Sequence, residues 1–273
     1  QRSADSHVVS REKAAAAPGE RALSEQWSHV VNVHTRFDIA AAITAGLLTT
    51  VCYLWRLRPA AKKIERAGAG YAVALVSGAA VGGYLAGTLN LWLSGETGVA
   101  RSIIGALAGA ITAIELYKSA YGISGSTGLA FVPGFAMTVV IGRWGCFFSG
   151  LNDHTHGIAT TFPWGQDFGD GISRHPVQLY ESAAMTMFLV YALIMIACRD
   201  AFFMRTGFYQ LVLWYALQRF IWEFFKPYGA LVGPLNLFQV MCLGLIAYSV
   251  TMMGRSEVVP ARPTEPMPRV FEK

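Results

Sequence analysis

From Ala67 to Gly95 the chain carries no charged residue, and the same holds from Ser182 to Cys198 and from Pro234 to Gly254. Roughly 20 consecutive apolar residues make a helix long enough to cross the hydrocarbon of a bilayer. A water-soluble domain could not coat such segments here, because 53% of the residues are hydrophobic and only 14% are charged. In lipid every backbone polar group must be satisfied within the segment, which favours helices. The sequence therefore predicts an all-α membrane protein with seven transmembrane helices. The expected spans are Phe37–Leu57, Tyr71–Leu93, Ser102–Ala120, Leu129–Phe148, Val177–Cys198, Gly207–Phe225 and Leu235–Met253. The second and third carry Gly78, Gly82, Gly83, Gly87, Gly105 and Gly109 at spacings that let helices pack closely in lipid.

The formal net charge is +5, but the basic residues sit in short connections and tails instead of forming a binding face, so no nucleic-acid partner is expected. Arg56, Arg58, Lys62, Lys63, Arg66, Lys118, Arg199 and Arg205 fall in alternate connections, and Arg255, Arg262, Arg269 and Lys273 follow the last span. That bias predicts the N-terminus outside and the C-terminus cytoplasmic. Residues 1–36 read as a mobile polar tail with no visible cleavable signal, 37–253 as the membrane domain, and 254–273 as a disordered cytoplasmic tail. Cys52, Cys146, Cys198 and Cys242 lie in or beside apolar segments without a C-x-x-C pair. No His/Asp/Glu set has ligand spacing, so neither a metal nor a cofactor is expected.

With this topology the polar residues of several spans come to one depth near the outer leaflet. Arg143 lies toward the end of the fourth span, and His175, Gln178, Tyr180 and Glu181 lie at the start of the fifth. Arg219 and Glu223 share a face near the end of the sixth, and Arg101 precedes the third. Charges inside membrane segments are costly and usually face a cavity where they work, although internal ion pairs that only fix packing are the plainer alternative. Two arginines suit a phosphate or carboxylate, whose oxygens match the guanidinium fork. An anionic phospholipid headgroup is the abundant ligand of that kind at a leaflet surface. The connection Leu151–His175 is rich in turn formers and holds Phe162, Trp164 and Phe168, so it is either an interfacial loop or a cover over the site.

Three segments carry a resemblance. Gly142-Arg143-Trp144-Gly145-Cys146-Phe147-Phe148-Ser149-Gly150 resembles the Gly-Arg-x-Gly-Asn-Phe motif of the bacterial prolipoprotein diacylglyceryl transferases. Arg174-His175-Pro176-Val177-Gln178-Leu179-Tyr180-Glu181 is similar to their His-Pro-x-Gln-Leu-Tyr-Glu segment, and Arg219-Phe220-Ile221-Trp222-Glu223-Phe224-Phe225 to their Arg-Phe-x-x-Glu-Phe-Phe segment. The resemblance covers residues 37–253. It implies an enzyme of the bacterial inner membrane that moves the diacylglyceryl group of phosphatidylglycerol onto the lipobox cysteine of a preprolipoprotein signal peptide. Glycerol phosphate is the leaving group. It further implies that Arg143 and Arg219 hold the phosphate, with Glu223 and His175 beside them in the catalytic set. Arg101, Cys146, Ser149, Gln178, Tyr180 and Glu181 would line the substrate site.

The pattern also departs from the family. Where the family has His-Gly-Gly early in the third span, this chain reads Ile103-Ile104-Gly105-Ala106-Leu107, and the Asn, later Asn and Glu of the arginine motif are Cys146, Ser149 and Leu151. The histidine is a proposed base. Three explanations stand: a relocated base (His175, His154, His156 or Glu223), transfer to a different acceptor, or binding of the anionic phospholipid without chemistry.

Overall fold

The computed structural model describes residues 18–258, with side chains described from 33 to 151 and from 154 to 256. Among the described residues, eight α-helices follow one another: α1 Pro18–Cys52, α2 Arg58–Ala67, α3 Ala69–Leu93, α4 Ile103–Ala120, α5 Val132–Ser149, α6 Val177–Cys198, α7 Ala201–Trp222 and α8 Leu237–Val258. The expected tail 1–36 is thus helical from Pro18, continuous with the first span, while residues 1–17 and 259–273 lie outside the described residues. A π-helical turn, Tyr53–Leu57, joins α1 to α2, where Pro59 sits in the first turn and costs no hydrogen bond. Gly68, at φ 76°, ends α2 in a conformation that side chains resist.

Among the described residues, six helices are long and apolar enough to cross a membrane: Val33–Ala67, Ala69–Leu93, Ile103–Ala120, Leu129–Ser149, Val177–Cys198 and Leu237–Ser256. The chain is an all-α membrane protein. The helix expected as a sixth span, α7, is not among these six, because Arg205, Gln210, Gln218 and Arg219 lower its hydropathy. It also begins six residues earlier than expected. Asp200 caps it, its carboxylate accepting from the Phe203 amide at 2.7 Å.

The helices pair α3 with α4, α1 with α5, α5 with α6, α6 with α7 and α7 with α8. The α3–α4 pair is the tightest. A Cβ placed on Gly82 would stand 2.3 Å from the Gly105 carbonyl oxygen, and one on Gly109 would stand 2.2 Å from that of Gly78. Only glycine permits that approach. Val132, Ala136 and Val139 of α5, Met185, Ala192 and Ile196 of α6, and Leu211, Val212 and Ala216 of α7 fill the core. Val73, Val76, Val81 and Leu85 of α3 point outward and exposed, as lipid-facing side chains do. Asn90, Arg143, Gln178, Glu181, Gln218, Arg219 and Glu223 are buried on the inside.

Candidate functional site

The connection between α5 and α6 has structure of its own. Two short antiparallel strands, β1 Gln166–Asp167 and β2 Ser173–Arg174, pair Gln166 with Arg174 and Asp167 with Ser173. The Asp167 carboxylate accepts from the amides of Gly169, Asp170 and Gly171, and Gly169 and Gly171 supply the positive φ values that the turn requires. Arg174 grips Asp170 with two bonds of 2.7 Å, which holds the Asp170 carboxyl down to about 2. The Ile158 amide donates to the Phe225 carbonyl at 2.7 Å, and the His175 amide donates to the Ile158 carbonyl at 3.1 Å. The loop is therefore sewn to the end of α7 as well as to the start of α6.

Beneath it lies a buried cluster of five charged groups. Arg143 comes from α5 and Glu181 from α6. Arg219, Glu223 and Lys226 come from the end of α7 and the short turn after it. Glu181 is the hub. Its carboxylate pairs with Arg143 Nε, with Arg219 Nη1 at 3.0 Å and with Lys226 Nζ at 2.6 Å. Glu223 pairs with Arg219 Nε at 2.6 Å and Lys226 Nζ at 3.3 Å, and accepts from Asn236 Nδ2 at 3.1 Å. The aromatic ring of Phe238 covers Arg219, with Cζ 5.4 Å from its centroid. Burial, and then the charge of Arg219, push the Lys226 ammonium below its ordinary range, against the two carboxylates that hold it up.

The cluster has three cations and two carboxylates, a net charge of +1. Unbalanced charge buried in a bundle is expensive unless something neutralises it. Two further groups are unpaired. Tyr215 is fully buried within electrostatic reach of Arg143, Arg219 and Glu181, and its hydroxyl has no hydrogen-bond partner among the described residues. Gln178 is fully buried and donates to Thr155 Oγ1 at 3.3 Å, while its Oε1 accepts from none of them.

The other residues singled out in the sequence are placed as follows. His175 is buried among Phe162, Tyr180 and Phe225, with Nδ1 3.2 Å from the Tyr180 hydroxyl. That hydroxyl accepts from Trp164 Nε1 at 2.8 Å, which leaves its own hydrogen for the imidazole nitrogen. This places His175 and Tyr180 in the packing that fastens the loop onto α6. Cys146 lies 3.9 Å from Arg143 Nη1, and the Ser149 hydroxyl donates back to the Gly145 carbonyl of its own helix. Arg101 is not brought to the cluster. It is 65% exposed and pairs with Asp38 at 3.6 Å.

Sequence reasoning missed Lys226, which counted only as a loop charge, and also Tyr215 and Asn236. Two signals were available. Lys226 is three residues after Glu223, and Asn236 and Gln239 have capping-box spacing at the start of α8, where each backbone amide donates to the other's side chain at 2.9 Å. That box fixes the amide that reaches Glu223.

The family model described as prolipoprotein diacylglyceryl transferase matches residues 37–255 of this chain. The chain belongs to this family. Among relatives, the phosphatidylglycerol–prolipoprotein diacylglyceryl transferases of Bacillus anthracis (strain A0248) and Bacillus cereus (strain 03BB102) are each 30% identical over 164 residues, covering 55% of this chain and 58% of the relative. That of Bacillus cytotoxicus is 30% identical over 131 residues, 43% of this chain and 46% of the relative. The chain thus matches less than two thirds of the length of these curated relatives. No solved structure matches it. The matched region of the diacylglyceryl transferase family contains all five charged groups of the cluster and the whole sewn loop.

Proposed function

We propose that this chain is a phosphatidylglycerol–prolipoprotein diacylglyceryl transferase whose buried ion cluster binds the phosphate of the lipid donor. The observation that carries this reading is the single excess positive charge of the cluster, one unit opposite the single negative charge of a phosphodiester. Arg143 and Arg219 hold the phosphate oxygens. Glu181 and Glu223 aim the two guanidinium groups, Lys226 adds the third cation, and the Tyr215 hydroxyl donates to a phosphate oxygen. As the acceptor thiol loses its proton to a base, its sulfur bonds to the glyceryl carbon and the C–O bond to phosphate breaks. Glycerol phosphate leaves with the electron pair. Cations fixed where that charge grows lower the barrier most. Glu223 and His175 are the candidates for the base.

The reading includes seven crossings, with the N-terminus outside and the cluster near the outer leaflet of the inner membrane. Helix α7, with 22 residues, is about 33 Å long at 1.5 Å per residue, enough for the hydrocarbon core. Its polar residues Gln218 and Arg219 face the bundle between α6 and α8.

The test is complementation of a bacterium depleted of its own transferase, scored by the mobility of a lipoprotein. Wild type restores lipidation, and Arg143→Ala or Arg219→Ala abolishes it while the protein still inserts. Full activity in either purified variant would refute the assignment. A second reading, phospholipid binding without transfer, has one specific observation in its favour: Ile104, in the stretch that replaces the family's His-Gly-Gly, is 1% exposed in an apolar contact. Retained donor binding with no lipidation by the wild type would select it.

A further inference from the structure

The end of the bundle away from the ion cluster carries a second concentration of charge. Between Tyr53 and Ala67 stand Arg56, Arg58, Lys62, Lys63 and Arg66, against one carboxylate, Glu65, which accepts from the Tyr53 hydroxyl at 3.1 Å. Helix α2 buries Ala61 against the bundle and turns Arg58, Lys62, Lys63 and Arg66 outward. It packs on the turn Leu129–Phe131 that opens α5. Arg143 is 12 residues beyond Phe131, about 18 Å farther along at 1.5 Å per residue. Two aromatic residues mark the level of α2. Trp55 is 51% exposed at the end of the long apolar α1 with Arg56 Cζ 5.3 Å from its ring, and Arg58 Cζ lies 5.9 Å from the ring of Tyr53. Aromatic rings with arginines at the foot of a spanning helix belong at headgroup depth.

A cavity of about 310 Å³ opens between α2 and the turn after α4, lined by Lys63, Arg66 and the segment Gly122–Ser124. Lys63 Nζ comes within 3.0 Å of where a Cβ on Gly125 would stand, which puts the ammonium at the turn of residues 122–125. Glu65 is not among the lining residues, so the cavity holds two cations and no carboxylate. We propose that this cavity binds the phosphate of an anionic phospholipid headgroup, in the leaflet opposite the ion cluster. Basic pockets at the ends of spanning helices suit such headgroups, because the acyl chains stay in lipid while lysine and arginine meet the phosphate. The inference is independent of the transfer reading.

The test is native mass spectrometry of the full chain titrated with dioleoyl phosphatidylglycerol and, separately, dioleoyl phosphatidylcholine. The double variant K63Q/R66Q loses one tight anionic lipid, with affinity falling roughly tenfold or more, while phosphatidylcholine binding is unchanged. The control R58Q/K62Q removes as much charge from the same helix outside the cavity, and shifts affinity less than about threefold by the same reasoning. Equal losses in the two variants would mean a diffuse field and overturn the site, as would no loss in K63Q/R66Q. Inorganic phosphate at millimolar concentration leaves the lipid bound. Displacement by phosphate alone would assign the cavity to a free anion and overturn the lipid assignment. Arg143 and Arg219 are intact in both variants, so a failed transferase reading leaves the binding result standing.

Discussion

At the scale of single residues, Tyr215 separates a ligand site from a packing device. Its hydroxyl is buried within electrostatic reach of Arg143 and Arg219 and makes no hydrogen bond among the described residues. Tyr215→Phe should therefore leave the thermal midpoint within a degree or two of wild type and weaken the donor lipid. A hydrogen bond to a charged group is worth about 1.5–3 kcal/mol, so KM for phosphatidylglycerol should rise about 10- to 100-fold. An unchanged KM would remove the hydroxyl from the site. Glu181 is the opposite case, because three cations share its carboxylate. Glu181→Ala leaves those charges uncompensated and should destabilise the protein by about 3–5 kcal/mol, measured by thermal unfolding in detergent. Arg143, Glu181, Arg219 and Glu223 were legible because charge in an apolar stretch announces itself. Lys226 was not, since it lies past the apolar stretch and only the fold tucks it back under the loop.

At the scale of elements, the α3–α4 contact and the β1–β2 loop each make a prediction. Gly82→Ala puts a methyl group 2.3 Å from a backbone oxygen, and overpacking of that kind costs about 1–3 kcal/mol, visible as a lower thermal midpoint. Gly46 has nothing within 4 Å of its missing Cβ, so Gly46→Ala should be neutral or stabilising by up to about 1 kcal/mol. In the loop, the Arg174 pair lowers the folded pKa of Asp170 to about 2, below the ordinary value of about 3.9. A depressed carboxyl contributes stability above its unfolded pKa and loses it as pH falls through the folded one. Asp170→Asn should therefore make the loop easier to cleave by protease at pH 5, and the difference from wild type should shrink as pH falls toward 2 and vanish below it. The glycine spacing of α3 and α4 was readable in the sequence, as were the turn formers of the loop. The strand register and the bonds from Ile158 to Phe225 were not, because they join residues far apart in the chain. The early start of α7 was signalled by Asp200, but charged neighbours masked it in a hydropathy reading.

At the scale of the whole molecule, the apolar surface follows from composition, and the order of the helices follows from where charge interrupts hydrophobicity. What composition could not give is whether α7 crosses. A fluorescent protein fused after residue 258 should fluoresce, and a periplasmic phosphatase fused there should be inactive, if the chain crosses seven times with its N-terminus outside. The reverse pattern would place the C-terminus outside and refute seven crossings from an outside N-terminus. The order in which the five charges are synthesised also matters. Reading along the chain, Arg143, Glu181, Arg219, Glu223 and Lys226 alternate in sign. As the helices emerge in turn from the ribosome, the running sum goes from one positive charge to zero and back, and never reaches two. Each new piece of chain arrives carrying the counterion of the one before it, so a half-made bundle need shelter no more than a single unmatched charge.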